Sequence, residues 1–99
     1  YSQTELAQIA TQMVAQMNYR FDAEAQQAID DYIALRQTQP HFANARSIRN
    51  ALDRARLRQA NRLFRQAMLG SAKVNVSDLS TITADDIRAS RVFSGGLGS

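Results

Sequence analysis

Apolar residues recur at helical spacing from the start of the chain. Leu6, Ile9, Ala10, Met13, Val14 and Met17 fall on one stripe, which predicts an amphipathic helix over 3–17 with that stripe packed in a core. Ser2, followed by Glu5 three residues on, is the capping-box pattern in front of it. The period breaks over residues 18–21, and Asp22 is placed to cap a second helix over 23–38 with Ala25, Ile29, Tyr32 and Ile33 facing inward. Pro40, the only proline, ends that helix, because the residue before a proline is pushed away from helical angles. Asn44 is expected to cap a third and longest helix over 45–69, which Gly70 closes. On a wheel at 100° per residue, Ile48, Leu52, Ala55 and Leu63 share its inner arc.

After Gly70 the pattern weakens. "SAKVNVSDLSTI" reads as a loop with a short extended piece, and Thr83 with Asp86 makes a second capping box opening a short helix over 84–90. The end, "SGGLGS", has the glycine content of a flexible tail, placed at 93–99. No internal repeat or second domain is visible. The expected fold is all-α: a bundle of three main helices and a short fourth, making one domain over 1–92.

Composition narrows the chemistry. Without cysteine there is no disulfide or thiolate metal site, and the lone His41 reads as a loop residue, so no metal is expected. No apolar run approaches the ~20 residues that span a bilayer, and no secretory leader pattern is present, so a soluble intracellular protein with no membrane partner is expected. No GxxxxGK[ST] or G-x-G-x-x-G phosphate loop occurs, and one histidine with no cysteine cannot build a nucleophile triad. The adjacent pairs Asp30–Asp31 and Asp85–Asp86 diverge by about 100° in a helix and make no carboxylate dyad. Alone, the chain is not expected to catalyse a reaction.

Charge singles out the third helix. Net charge is only +3, yet seven of the twelve basic residues lie between Arg46 and Arg65. Arg54, Arg58, Arg62 and Arg65 form one row, read as a solvated face, with an acidic partner surface or a neighbouring subunit as the alternative. Arg49, Asp53 and Arg56 have the spacing of a partly buried ion cluster bracing the helix. Arg46 lies in the first turn, where the macrodipole disfavours a cation by about 0.3–1 kcal/mol. A hydrogen bond to a charged group contributes about 1.5–3 kcal/mol, so an anion held between Arg46 and the free N–H groups would more than compensate. The plainer alternative points Arg46 at water or at Asp53.

"LRQTQPHFANARSIRNALDRARLRQANRLF" and "DLSTITADDIRASRVFSGGL" together resemble the C-terminal end of the red-type Rubisco activases, the CbbX family of AAA+ ATPases. The resemblance covers nearly the whole chain. It implies a helical lid subdomain whose α/β ATPase subdomain, with the Walker motifs that hold ATP and Mg2+, lies upstream. It also implies that Asn44-Ala45-Arg46 is the sensor-2 motif, with Arg46 reaching the terminal phosphates and Ala45 near the adenine. The implied partners are that α/β subdomain, neighbouring subunits of a hexameric ring, and red-type Rubisco, whose large-subunit tail is pulled. Ribulose 1,5-bisphosphate is the implied activator, and a bacterial cytoplasm or plastid stroma the implied compartment. The reading from another class is a small arginine-rich nucleic-acid-binding or adaptor domain. It is disfavoured by the modest charge and by the lack of aromatic residues interleaved with the arginine row.

Overall fold

A computed structural model describes residues 1–70 and 74–94. Its elements are α1 (Gln3–Gln16), β1 (Arg20–Phe21), α2 (Ala23–Arg36), α3 (Ala45–Leu69), α4 (Val76–Ser80), β2 (Thr81–Ile82), α5 (Ala84–Arg88) and a 3-10 turn (Arg91–Ser94). The architecture is the expected helical bundle, with a two-residue parallel strand pair added to it.

Local chemistry accounts for the element ends. The Ser2 hydroxyl accepts the Glu5 N–H at 3.1 Å while the Glu5 carboxylate accepts the Ser2 N–H at 2.9 Å. This closes the head of α1 from both sides. At the other end Asn18 takes the left-handed conformation (φ 64°). Asn18 N–H then reaches the Ala15 carbonyl and Tyr19 N–H reaches that of Val14, at 3.0 and 2.8 Å. That is a Schellman ending with asparagine in the usual glycine place, and it turns the chain into β1. The Asp22 carboxylate accepts the Ala25 N–H at 2.7 Å, capping α2 as its position suggested.

The core joins α1, α2 and α3, and α5 closes it against α2 and α3. Leu6, Val14, Ile29, Tyr32, Ile33, Ile48, Leu52 and Ile82 are each at most 1 % exposed. The inner arcs read from the sequence are therefore the buried ones, with Ile9, Met13 and Met17 packed at the margin. At about 1.5 Å per residue, α3 is about as long as the 41 Å principal axis of the molecule. Its last buried residue is Leu63, so its final turns extend past the core.

Past the third helix, part of the expected loop is ordered structure. Residues 71–73 lie outside the described residues, but Asn75 caps α4, accepting the Asp78 N–H at 2.9 Å. The extended piece is β2, whose Thr81 and Ile82 pair in parallel with Arg20 and Phe21. The Arg20 guanidinium pins this return by donating to the hydroxyls of Thr81 and Ser77. Phe93 and Ser94, expected to begin a tail, belong to the 3-10 turn instead, because the Phe93 ring packs 6.3 Å from that of Tyr32. The remainder of the expected tail, residues 95–99, lies outside the described residues.

One surface link carries a pH dependence. Arg88 donates to the Asp31 carboxylate at 2.9 Å, and this bond, then that from Gln27, holds the carboxyl below its usual range. A carboxyl depressed on folding stabilises the fold above its unfolded pKa, about 3.9, and loses that contribution as pH falls through the folded value. Both side chains are over 40 % exposed, so the effect is small. Asp31→Asn should slightly flatten the loss of stability below about pH 4, as read from urea midpoints at pH 7 and pH 3.

Candidate functional site

The head of α3 is built by the preceding turn. Arg36, only 8 % exposed, donates to the carbonyls of Pro40 and His41 at 3.1 and 3.4 Å, and its guanidinium lies 5.6 Å from the Phe42 ring. A cation buried at the end of α2 thus orders the segment that leads into α3. Its role has no periodic signature in the sequence.

Asn44 does not cap α3 with its side chain. Its backbone is at φ 49°, ψ −119°, and the side chain makes no capping bond. A side-chain cap needs an extended N-cap backbone from which the oxygen reaches the second or third helical N–H, and this conformation lacks it. Other groups close the end. The Ala43 N–H donates to Ser47 Oγ at 2.8 Å, the Arg46 N–H to the Ala43 carbonyl at 3.2 Å, and the Ile48 N–H to the Asn44 carbonyl at 3.1 Å. The N–H groups of Ala45 and Ser47 find no acceptor among the described residues.

Arg46 is exposed, and its guanidinium has no partner among the described residues. It does not turn back on Asp53, which bonds Arg56 instead. The expected Arg49–Asp53–Arg56 cluster is only half formed: Arg56 meets Asp53 at 3.3 Å, while Arg49 is exposed and joins neither. Arg56 turns inward to lie 5.3 Å from the Tyr19 ring, so the bracing runs to the segment after α1. An exposed four-residue ion pair contributes about 0.2–0.5 kcal/mol, too little to hold Arg49 in one geometry.

The arginine row likewise divides. Arg54 and Arg65 are exposed, but Arg62 donates twice, from Nε and a terminal nitrogen, to the Asp86 carboxylate at 3.1 Å each. Arg58 donates to the Asp86 carbonyl at 2.6 Å. Asp86, 3 % exposed, also accepts the Thr83 N–H and hydroxyl at 2.9 and 3.1 Å. Its carboxylate raises the Arg62 pKa through those hydrogen bonds, whereas burial, then repulsion from Arg54, lowers that of Arg58. The centre of the row is therefore a structural joint between α3 and α5, and the reading of the whole row as solvated is corrected. Gln59, 2 % exposed, makes a second joint by donating to the carbonyls of Asp78 and Leu79 at 2.9 and 3.0 Å.

Chemically, the head of α3 offers the exposed Arg46 guanidinium and the unbonded N–H of half-buried Ala45 at the positive end of a long dipole, while Ser47 is buried. That arrangement can hold an anion supplied from outside. Among the described residues no cluster of three or more His, Cys, Asp or Glu side chains could hold a metal ion, and no helix is long and apolar enough to cross a membrane.

A family model described as the AAA lid domain matches residues 2–92. The chain is 59 % identical over 99 residues to Protein CbbX of Cereibacter sphaeroides, and 57 % identical over 94 residues to the chromosomal Protein CbxX of Cupriavidus necator. Those matches cover 100 % and 95 % of this chain, and 31 % and 29 % of the respective relatives. A chloroplastic ribulose bisphosphate carboxylase/oxygenase activase of Cyanidioschyzon merolae is 52 % identical over 93 residues, covering 94 % of this chain and 31 % of that protein. The chain thus spans about a third of the length of these relatives, and it belongs to the AAA lid domain family.

Proposed function

We propose that this chain is the lid of an AAA+ ATPase of the Rubisco activase type, and that Arg46 senses the nucleotide from the head of α3. The observation that carries the reading is Arg46 itself: a cation without a partner among the described residues, at the helix end where the macrodipole disfavours one. The residues present fit a polyphosphate. A guanidinium offers a planar fork to phosphate oxygens, and the unbonded Ala45 N–H lies at the same positive helix end. The small Ala45 side chain leaves the backbone open to an adenine ring.

On this reading, bound ATP supplies a phosphoanhydride bond whose cleavage drives movement, and Mg2+ is held by the upstream α/β subdomain. The part played by this chain is positional. Arg46 draws the lid toward the terminal phosphates, and α3, a single rigid helix, carries that rotation to the rest of the bundle. In a hexameric ring the rotation reaches the neighbouring subunit and is spent on pulling the C-terminal tail of the red-type Rubisco large subunit. Activation by ribulose 1,5-bisphosphate belongs to the same reading, without residues of this chain assigned to it.

Arg46→Ala in the full-length protein tests it. Loss of a charge-assisted hydrogen bond of about 1.5–3 kcal/mol predicts a fall in ATP turnover of roughly 10- to 150-fold. Arg49→Ala, equally exposed on the next turn, should leave turnover near that of the parent. Thermal unfolding of both variants should match the parent, since neither side chain is buried. Unchanged turnover in Arg46→Ala would remove the sensor role.

A further inference from the structure

The distal half of α3 presents an apolar face to solvent. Leu57, Phe64 and Met68 are 63, 66 and 71 % exposed, and at 100° per residue they lie within about 20° of one line. Single exposed leucines are ordinary, but a stripe of large apolar side chains over three turns marks an interaction site. One flank of the stripe carries the exposed Ala60 and Ala67, small enough for a second helix to approach at the usual 8–10 Å.

The other flank is basic. Arg54, Arg58 and Arg65 lie roughly 60–100° round the helix from the stripe. Arg54 and Arg65 have no acceptor among the described residues, and Arg58 donates to a backbone carbonyl of Asp86. Arg62, between them, is already neutralised by the Asp86 carboxylate. Asp85, exposed, lines the same cleft as Arg58, Arg62 and Arg65, so with Arg54 four arginines face two carboxylates and the edge keeps an excess of positive charge beside the apolar stripe. A nucleic-acid backbone would satisfy the cations but leave Leu57, Phe64 and Met68 uncovered. A protein surface with an apolar centre and an acidic rim satisfies both.

We propose that this face of α3 docks an acidic amphipathic helix of a partner protein, with its apolar side on Leu57, Phe64 and Met68 and its carboxylates along Arg54, Arg58 and Arg65. The inference is independent of the nucleotide reading, which rests on Arg46 at the opposite end of the helix.

The test titrates the 99-residue chain with a fluorescein-labelled synthetic helical peptide bearing one leucine face flanked by glutamates. Its twin carries lysines in place of the glutamates. The glutamate peptide should bind saturably and about tenfold more tightly than its twin, as expected for a few solvent-exposed ion pairs. The double reversal Arg54→Glu/Arg65→Glu should invert that preference, and Phe64→Ser should weaken both peptides about fivefold or more, consistent with loss of a buried aromatic anchor. These positions are exposed, so all variants should unfold with the parent. Equal affinity for the two peptides, an unchanged preference after charge reversal, or no saturable binding would overturn the proposal. So would tighter binding of mixed-sequence duplex DNA, or self-association that buries the stripe between two copies of the chain.

Discussion

Asp86→Ala should lower the unfolding free energy by about 3–5 kcal/mol, the range for breaking a buried ion pair. The carboxylate is 2 % exposed and accepts four hydrogen bonds, two from Arg62 and two from Thr83. Its removal takes away the Arg62 part of the α3–α5 joint, leaving Arg58 on the Asp86 carbonyl, and loosens the start of α5 as well. Arg62 keeps 27 % of its side-chain exposure and can recover some hydration, which holds the loss within that range. At about 4–8 °C per kcal/mol for a domain of this size, the unfolding midpoint should drop by at least roughly 12 °C. Thr83→Ala removes only the hydroxyl bond and should cost about 1 kcal/mol. Arg62→Met should also be severe, because it leaves a buried carboxylate with only Thr83 for company. In a double-mutant cycle, Arg62→Met/Asp86→Leu should lose clearly less than the two single changes combined. An Asp86→Ala loss under about 1 kcal/mol would mean that this carboxylate is solvated in the folded protein.

The same residue marks the boundary of what the sequence made legible. Thr83 and Asp86 were readable as a local cap, because the capping box is a four-residue pattern. That Asp86 also holds Arg62 depends on α5 packing against α3, and no spacing within the chain specifies that contact. On a helical wheel, a solvated arginine row and a half-buried one look alike. The long arcs of α1, α2 and α3 were legible because a 3.6-residue period over 14 or more residues overdetermines the buried face. The asparagines illustrate the limit on caps. Asn75 forms a capping box with Asp78 that the sequence could have disclosed, whereas Asn44 occupies a cap position with backbone angles that deny it the bond. Arg36 and Gln59 belong to the class a polarity pattern misplaces: each is buried because backbone carbonyls in turns satisfy its donors. At the candidate site the awkward place of Arg46 was visible from helix electrostatics alone. The separation of Arg49 from Asp53 was not, since spacing permits a pair that solvent leaves too weak to order.

Truncation after Gly70 should abolish cooperative folding. The sequence presents everything past that glycine as loop, short helix and tail, a plausible appendage to a three-helix bundle. In the structure the returning segment is part of the core: Ile82 is fully buried, and Ile87 and Val92 are each 3 % exposed. Full burial of a side chain of this kind stabilises by about 1.5–3 kcal/mol, so these three account for roughly 5–9 kcal/mol as an upper estimate. A domain of this size is stable by only about 5–15 kcal/mol. Truncation also strips Arg62 of its carboxylate, Gln59 of both carbonyls, and β1 of its only strand partner among the described residues. The face of α2 that packs against α5 and the 3-10 turn would open to water. Residues 1–70 should therefore retain partial helical circular dichroism while losing the sigmoidal urea transition of the full chain. Gln59→Ala, which loosens the same return without deleting it, should keep a cooperative transition at a lower midpoint. A sharp two-state transition in the truncated chain would show that the first three helices fold alone, and that the segment after Gly70 merely covers them.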